Sequence, residues 1–325
     1  MFPKGGRVEM ENKFSIIQRL LQERADYMAR LNLIPYDGSP EIKENSSGKY
    51  LYIRKRVNGK LTSTYVDKYS EELYQLLLRN VKEARELKKQ IRRVDKELAI
   101  NGYVEGELSQ DVIINLDFAR VNMKSNIYDQ AVLEGVATTF PQTEEILENG
   151  TVSGMTADDV QKILNLKHAW EFILDKDVIQ AESNYYLLCH IAKLVNEGFF
   201  YDGGRIRGVP VTIGGTKYVP PIPQEFEVKE CINKIINSNK EKIDIAIELC
   251  MYCMRTQIFI DGNKRASVIF ANHYMIAHGL GLIVIPEAQV PEFKKKLVKY
   301  YEKSDIKEIN KYLKDKCWRK IKKEL

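Results

Sequence analysis

The sequence predicts a mainly α-helical protein that carries two β-hairpins. Three observations favour this fold class. Apolar residues recur at helical spacing over most of the 325 residues. The dipeptide Asn58-Gly59 separates two β-rich runs, and Gly214-Gly215 separates two short alternating runs. Glycine supplies the positive backbone φ that tight hairpin turns require, so both dipeptides predict antiparallel strands.

Residues 1–105 are expected to form a first domain made of a helix, a basic β-hairpin and a long helix. The first helix covers residues 13–33, and a polar loop follows as far as residue 48. Ser70 is predicted to cap the long helix, which ends near residue 100. Apolar residues recur every seven positions along it and predict a seam suited to an antiparallel helix pair or to a homo-oligomer: Leu77, Ala84, Ile91 and Leu98.

The first hairpin combines basic and aromatic side chains. Its strands cover residues 50–53 and 62–65. It carries three tyrosines and five cations: Tyr50, Tyr52, Tyr65, Lys49, Arg54, Lys55, Arg56 and Lys60. Basic residues interleaved with aromatic ones can bind nucleic acid. The alternative is a solvated hairpin face whose other side packs against a helix. The second interpretation is preferred, and nucleic acid is kept as the less favoured partner.

Residues 106–325 are expected to form a second helical domain that ends in C-terminal helices. Helices are predicted at residues 107–137, 157–174, 181–197, 224–238, 243–255, 266–277, 291–303 and 306–323. The acidic residues 140–154 are expected to be a loop, and residues 282–285 a short strand. The second hairpin covers residues 203–223, where apolar residues alternate before the Gly-Gly turn and Pro220-Pro221 closes the returning strand.

The composition limits the classes of function. Charged residues make up 29%, and a net charge of +5 is too small to argue for nucleic-acid binding by itself. The cysteines lie in or beside apolar helical stretches and are interpreted as buried thiols in a reducing compartment: Cys189, Cys231, Cys250, Cys253 and Cys317. The sequence has neither an apolar leader nor a run of 18 apolar residues, so it predicts a cytoplasmic protein without a membrane partner.

The stretch from residue 257 to residue 265 joins two apolar helices and has the composition of a phosphate-binding loop. Gly262 allows close backbone approach, and the start of the next helix offers free N–H groups and the positive end of a dipole. Lys264 and Arg265 add positive charge, and Asp261 is suited to a divalent cation that bridges phosphate oxygens. Gln257, at the start of the loop, cannot take up a proton near pH 7.

The residues of this loop resemble the Fic/Doc family, which has the Fido fold. The family motif reads His-x-Phe-x-Asp/Glu-Gly-Asn-Gly/Lys-Arg-x-x-Arg. Six positions are in register here: Phe259, Asp261, Gly262, Asn263, Lys264 and Arg265. Residues 205–223 resemble the flap hairpin of the family. Residues 133–135 and 159–165 resemble the Glu-Gly segment and the following helix of members that carry their own inhibitory helix.

The resemblance implies transfer of part of a nucleotide, most often AMP from ATP, to a hydroxyl of a target protein. ATP or another nucleotide would be bound together with Mg²⁺. By that resemblance Asp261 would bind Mg²⁺, and Gly262 and Asn263 would form an anion hole. Arg265, beside Lys264, would neutralise phosphate charge. An unknown protein target would dock on the flap through Val209, Val211, Ile213, Lys217 and Tyr218.

Three departures from the motif bear on activity. Gln257 stands where the family has the histidine that accepts a proton from the acceptor, a role that contributes about 10²–10⁴-fold to rate. Val268 replaces the last arginine, which in self-inhibited members pairs with the inhibitory glutamate. Glu134 stands in the place of that glutamate without its expected partner. An inhibitory role and a solvated helix-end carboxylate are therefore equal alternatives. Lys264 is shared with the Doc branch, which phosphorylates its target.

These residues leave three functions, in order of preference. The first is a Fic-fold nucleotide-binding protein that resembles protein adenylyltransferases but lacks the usual base. The second is a catalytically inactive Fic pseudoenzyme that acts as a regulatory or toxin–antitoxin-type interaction module. The third is a nucleic-acid-binding protein that works through residues 1–100. The histidines lie outside the motif and are interpreted as packing or surface residues: His168, His190, His273 and His278.

Overall fold

A computed structural model of the chain describes residues 4–321 except residues 37, 58, 59, 105 and 151, and it describes residues 4–15 and 57 by their backbone alone. The chain separates into two compact units, Met1–Val104 and Glu105–Leu325. Helices dominate both units, which confirms the predicted fold class. Within the described residues, no helix is both long and apolar enough to cross a membrane.

The first unit contains a three-stranded antiparallel sheet and two long helices. Its elements are α1 (Lys4–Leu33), β1 (Ser39–Asn45), β2 (Gly48–Val57), β3 (Lys60–Lys68) and α2 (Glu71–Ile100). The strands lie in the order β1-β2-β3. β2 and β3 form the predicted hairpin, although the turn at Asn58-Gly59 lies outside the described residues. The structure adds β1, where the sequence predicts a loop, because its backbone pairs with β2 along its whole length.

α1 and α2 pack against each other in antiparallel orientation. Arg24 lies 3.3 Å from Asp95 near the end of α2, whereas Asn80, earlier in α2, donates to the carbonyl oxygen of Pro35 just after α1. One apolar cluster joins the two helices: Leu20, Val94 and Leu98. Leu77, at the start of the predicted seam, packs under the sheet instead. The seam is thus used within the unit, and a role in a homo-oligomer stays a prediction.

The second unit is a helical bundle built around α11. Its elements are α3 (Gln110–Val121), α4 (Met123–Leu133), α5 (Phe140–Asn149), α6 (Ala157–Ile173), α7 (Lys176–Gln180), α8 (Tyr185–Val195), α9 (Glu225–Ile236), α10 (Lys242–Thr256), α11 (Asn263–Ala277), β4 (Leu282–Ile283), α12 (Val290–Lys303), α13 (Lys307–Lys316) and β5 (Trp318–Arg319). α11 is buried on nearly all sides and contacts α8, α10 and α6. The loop between α10 and α11 is therefore attached to a buried, rigid helix.

Residues 140–149 form helix α5, although their acidic composition predicts a loop. Thr139 accepts a hydrogen bond from the backbone of Gln142, and the Gln142 side chain bonds back to the Thr139 backbone, which is a complete capping box. Gly150 then ends the helix in the left-handed conformation at φ +76°. The caps at both ends fix a helix that its charge pattern alone does not indicate.

Residues 203–223 contain no strand, which corrects the predicted second hairpin. The turn at Gly214-Gly215 is present, with Gly215 at φ +81°. Pro210 has no N–H group to contribute to a ladder. The carbonyl oxygens at both ends of the segment accept hydrogen bonds from a buried guanidinium instead of from a facing strand: Val209, Pro220 and Pro221 accept from Arg207. We call residues 203–223 the flap segment.

Candidate functional site

The loop between α10 and α11 turns sharply at two left-handed residues. Gln257 ends α10 at φ 49° and ψ 61°, and Gly262 caps α11 at φ 73°. A side chain at Gly262 would also collide with its surroundings, because an added Cβ would lie 2.7 Å from Asn196 Oδ1. Glycine is therefore required here both by backbone strain and by close approach. Without a side-chain cap at residue 262, the first N–H groups of α11 are directed out of the helix end.

Asn263 holds the loop in shape through its side chain. Its Oδ1 accepts from the backbone N–H of Phe259 at 2.9 Å, and its Nδ2 donates to the carbonyl oxygen of Phe259 at 2.8 Å. Phe259 itself is 1% exposed and anchors the loop in the core. The Asn263 side chain is thus committed to the protein, and the group it can offer to an anion is its backbone N–H.

Gln257 is the residue in the place of the motif histidine, and both ends of its side chain are engaged. Nε2 donates to the carbonyl oxygen of Met254 at 2.6 Å, and Oε1 accepts from Asn263 Nδ2 at 3.2 Å. These hydrogen bonds satisfy the amide and hold it against its own helix. The side chain therefore reinforces the loop but carries no group that can take up a proton at neutral pH.

Arg265 lies inside the site and not on its surface. Its side chain is 3% exposed, and it donates to the carbonyl oxygen of Val195 at 2.8 Å and to Asp261 Oδ2 at 2.9 Å. The carboxylate of Asp261 is in contrast 56% exposed. Arg265 thus positions Asp261 at the mouth of the loop, where the carboxylate can meet a cation from solvent.

Glu134 has partners, although the sequence predicts that its expected partner is missing. It ends α4, and its Oε2 lies 3.6 Å from Lys264 Nζ and 3.8 Å from Arg265 Nε. Its side chain is only 12% exposed, so the alternative of a solvated carboxylate does not fit. Val268, one turn along α11, is 3% exposed and belongs to the core.

Two atoms of this ion pair remain unsatisfied. Glu134 Oε1 and Arg265 Nε are buried and make no hydrogen bond to any described residue. Buried polar atoms of this kind cost about 1–3 kcal/mol each when they stay unpaired. A bound anion that displaces Glu134 would find the buried Nε donor and the Lys264 ammonium already in place. The donor set therefore fits a phosphate group.

Two residues that the sequence did not single out connect the site to its surroundings. Asn196, just after α8, donates to the carbonyl oxygens of Gly203 and Asp261 at 3.1 and 2.9 Å. Arg207 is 4% exposed and donates to the carbonyl oxygen of Gln257 at 2.5 Å, and burial lowers the pKa of its guanidinium. The sequence signal for both was weak, because neither residue belongs to the motif of the loop.

The flap segment is tied to α12. The Thr216 hydroxyl and the Lys217 N–H both donate to Glu302 Oε1, at 3.0 and 3.4 Å. Tyr218 stacks on Tyr301 with ring centroids 6.3 Å apart. Val209 is half exposed, Lys217 is exposed, and the side chains of Val211, Ile213 and Tyr218 are partly buried. The five predicted docking residues thus share one segment, which keeps its shape without strand pairing.

His273 of α11 and the cysteines are mainly packing groups of the helical unit. His273 is fully buried between Ser183 and the carbonyl oxygen of Val178, and burial lowers its pKa to about 4. The five cysteines are free thiols, and burial raises the pKa of Cys250 and Cys253. Among the residues that the structure describes, no group of three His, Cys, Asp or Glu side chains could hold a metal ion.

Two family models match the chain. Residues 183–275 match the Fic/DOC family, a region that includes the whole loop between α10 and α11. Residues 14–75 match a domain of unknown function, DUF6788, which includes the sheet of the first unit. The family resemblance read from the loop residues is confirmed.

Curated relatives include the "Protein adenylyltransferase Fic" of Drosophila willistoni, 25% identical over 206 residues that cover 58% of this chain and 39% of the relative. The protein of the same name from Drosophila yakuba is 28% identical over 182 residues, covering 50% of this chain and 34% of the relative. The match thus spans well under half the length of these relatives.

Solved structures with a similar fold include Fic-1 (residues 134–508) from C. elegans, with a TM-score of 0.52 and 17% identity over 73% of this chain and 74% of that chain. A Fic-domain-containing signalling protein from Bacteroides thetaiotaomicron VPI-5482 has a TM-score of 0.50 and 16% identity over 64% of this chain and 85% of that one. At these identities the likeness shows the fold alone.

Proposed function

Starting from the premise that this chain carries a Fic/DOC family domain, we propose that it binds the phosphates of a nucleotide, in the first place ATP, at the loop of residues 257–265. One observation carries the proposal. The loop ends at Gly262, which has no side chain over the first turn of α11, and the adjacent buried Arg265 Nε lacks a hydrogen bond among the described residues.

The physical basis is the electrostatics of a helix start. The backbone N–H groups of Asn263 and Lys264 lie in the first turn of α11, where the helix dipole favours negative charge. Lys264 is 32% exposed and adds a full positive charge beside them. Phosphate oxygens would accept from these N–H groups and from the ammonium without any change in the loop backbone.

Mg²⁺ is the cofactor that the exposed carboxylate of Asp261 would hold. One carboxylate together with nucleotide phosphates and waters is a common ligand set for this ion, and Arg265 fixes the carboxylate from behind. When bound, the ion neutralises charge on the phosphates. The chain itself contributes the orientation of Asp261 and the anion-binding backbone.

The proposed reaction class is transfer of AMP from ATP to a hydroxyl of a protein that docks on the flap segment. The hydroxyl oxygen forms a bond to the α-phosphorus, the bond from that phosphorus to the bridging oxygen breaks, and pyrophosphate leaves. The relatives named as protein adenylyltransferases support this class. Gln257 cannot accept the proton of the acceptor hydroxyl, so that proton would pass to water, and the rate would lack the factor of about 10²–10⁴ that a positioned base contributes. The free thiols are consistent with a cytoplasmic setting.

Glu134 would oppose nucleotide binding in this proposal. Its carboxylate occupies the neighbourhood of Lys264 and Arg265, the two cations that a phosphate needs. Glu134→Gln would keep the shape and remove the charge. We expect it to tighten ATP binding severalfold, measured by isothermal titration. Unchanged or weaker binding would contradict an inhibitory role for this residue.

Isothermal titration with ATP, ADP and CTP in the presence of Mg²⁺ tests the binding step. We expect binding that requires Mg²⁺ and weakens at least tenfold in Asp261→Ala. The matched control is Asp315→Ala, which removes an exposed carboxylate from α13 and should leave the affinity unchanged. Absence of nucleotide binding by a folded wild-type protein would overturn the proposal.

A second candidate is a nucleotide-binding module that transfers nothing. The double hydrogen bonding of Gln257 favours it, because that side chain is built into the loop as a structural part. Incubation with α-³²P-labelled ATP and a cell lysate separates the two candidates. Label on protein that depends on Asp261 supports transfer. Label that appears only in Gln257→His supports the second candidate.

A further inference from the structure

The sheet of the first unit exposes one aromatic and basic face. Side chains alternate along each strand, so Tyr50, Tyr52, Arg54 and Arg56 of β2 share a side. The pairing register places Tyr65 opposite Tyr52 and Ser63 opposite Arg54 on β3, and Lys43 opposite Tyr50 on β1. We call this side of the sheet, with its side chains from the three strands, the tyrosine face.

The other side of the sheet supplies the core. Leu51 and Ile53 are 0% and 5% exposed and pack with Leu77 of α2. Tyr50, Tyr52 and Tyr65 lie on the opposite side of the sheet and are not part of this hydrophobic cluster. Tyr65 remains 51% exposed, and Leu61 on the same face is 56% exposed.

The three rings lie close enough together to form a platform. The ring centroids of Tyr52 and Tyr65 are 5.6 Å apart in an edge-to-face arrangement, and those of Tyr50 and Tyr65 are 6.3 Å apart. Tyr65 is the exposed ring of this cluster, and Tyr50 and Tyr52 are partly buried beside it. A cluster of aromatic rings on the solvent side of a sheet is suited to stacking with flat, unpaired bases.

Cations surround the platform. Lys43 Nζ lies 4.2 Å from the centre of the Tyr52 ring and donates to Ser63 at 2.8 Å, with Glu41 at 3.8 Å. Arg54 and Arg56 are exposed and form no ion pair with any described residue. Their guanidinium groups are therefore available for phosphate oxygens.

The charge of the first unit supports the same ligand. Residues 1–104 contain 21 Lys and Arg against 14 Asp and Glu, hence a net charge of +7, although the whole chain carries only +5. The remaining residues are thus slightly acidic. A polyanion would be drawn to the first unit, and on that unit the tyrosine face adds stacking to charge.

We propose that the tyrosine face binds single-stranded nucleic acid, with bases stacked on Tyr52 and Tyr65 and phosphates held by Arg54 and Arg56. A double helix keeps its bases stacked inside and would use the charge alone. The other side of the sheet packs against α2, in agreement with the interpretation preferred from the sequence, and the proposal adds a ligand for the solvated side that carries the tyrosines.

Fluorescence anisotropy with the full chain tests the proposal. The probes are a labelled dT₂₀ oligonucleotide, a U₂₀ oligonucleotide, a 20-base-pair DNA duplex and vesicles of phosphatidylcholine with phosphatidylserine. We expect both single strands to bind more tightly than the duplex. The affinity should fall with salt, since each phosphate contact lowers the slope of log K against log salt by about 0.7 for a single strand.

The variants separate stacking from charge. Tyr65→Ala should weaken single-strand binding at least about fivefold, and Tyr65→Phe should restore it, because the ring alone supports stacking. Arg54→Ala with Arg56→Ala should reduce the salt slope by about 1.4. The matched control, Lys82→Ala with Arg85→Ala on the exposed side of α2, removes the same charge and should leave most of the affinity intact. Circular dichroism checks that each variant is folded.

Three outcomes would overturn the proposal. The first is no single-strand binding by the wild-type protein near 0.1 M salt. The second is binding that Tyr65→Ala leaves unchanged or that the control pair weakens as much as the Arg54 and Arg56 pair. The third is a clear preference for the duplex or for acidic vesicles, which would assign the basic surface to charge alone.

Discussion

In the loop between α10 and α11 the polar side chains are buried and bond to one another and to backbone, whereas those of the tyrosine face lie at the surface of a sheet. Asn263 is 5% exposed and satisfies both backbone groups of Phe259, while Tyr65 is 51% exposed. The first region has fixed its geometry before any ligand arrives. The second offers surface that a ligand can use but that the fold does not need. Substitutions should therefore act on stability in the loop and on binding at the face.

Asn263→Ala is expected to have the largest effect on stability. It leaves the N–H and C=O of Phe259 buried without their partner, at about 1–3 kcal/mol each, so the free energy of unfolding should fall by about 2–6 kcal/mol. Urea unfolding measures it. Asn237→Ala, at the exposed end of α9, is the control and should cost less than about 1 kcal/mol. A loss as small as in the control would show that the loop does not depend on this amide.

Gly262→Ala should come next, with a loss of about 2–5 kcal/mol. Alanine in the left-handed region costs about 1–2 kcal/mol, and its Cβ would add a collision with Asn196, 2.7 Å away, at about 1–3 kcal/mol. Gly215→Ala is a matched control, since Gly215 has φ +81° and open space around it. Equal losses in thermal or urea unfolding would mean that strain alone explains both positions.

The buried His273 of α11 should make stability depend on pH. Its pKa is lowered from 6.5 to about 4, so the unfolded chain binds one more proton than the folded chain between these values. Stability should then fall as pH decreases through this window, by about 2 kcal/mol between pH 7 and pH 5 from this residue. The measurement is urea unfolding at both pH values for wild type and His273→Gln. The same pH dependence in both proteins would rule out this assignment.

Tyr65→Ala is expected to have the smallest effect on stability, within about 0.5 kcal/mol, because half of the ring is already in water. Thermal unfolding provides the measurement, and Leu51→Ala, on the buried side of the same sheet, should lose about 2–5 kcal/mol. A large loss of stability in Tyr65→Ala would indicate that the tyrosine face contributes to folding, as the loop does.

Periodicity predicted the elements that carry the site. The helix predicted at residues 157–174 is α6 (Ala157–Ile173), and the predicted helices on both sides of the loop are α10 and α11, displaced by no more than three residues at their ends. These helices bury apolar stripes, and the caps of several of them are visible in sequence, such as Thr156 before α6. Apolar spacing and capping residues were sufficient to predict a helix where one continuous stretch of chain determines it.

Contacts between residues far apart in the chain could not be predicted from the sequence. β1 forms because its backbone pairs with β2, and the flap segment is shaped by the guanidinium of Arg207 and not by a ladder. Glu134 lies close to Lys264 and Arg265, about 130 positions away in sequence. The motif alone showed only that the expected arginine partner of Glu134 is replaced by Val268. Each of these depends on which groups tertiary packing brings within hydrogen-bond distance.

The glutamine at position 257, held by two hydrogen bonds, is one nucleotide substitution away from a histidine. Codons for glutamine and histidine differ in the third base alone, so one nucleotide substitution exchanges the two residues. The neighbours of Gln257 remain those of an intact motif: Phe259 is anchored, Asn263 donates toward residue 257, and Gly262 keeps its turn. A single mutational step therefore separates the glutamine from a side chain that can take up a proton at this position.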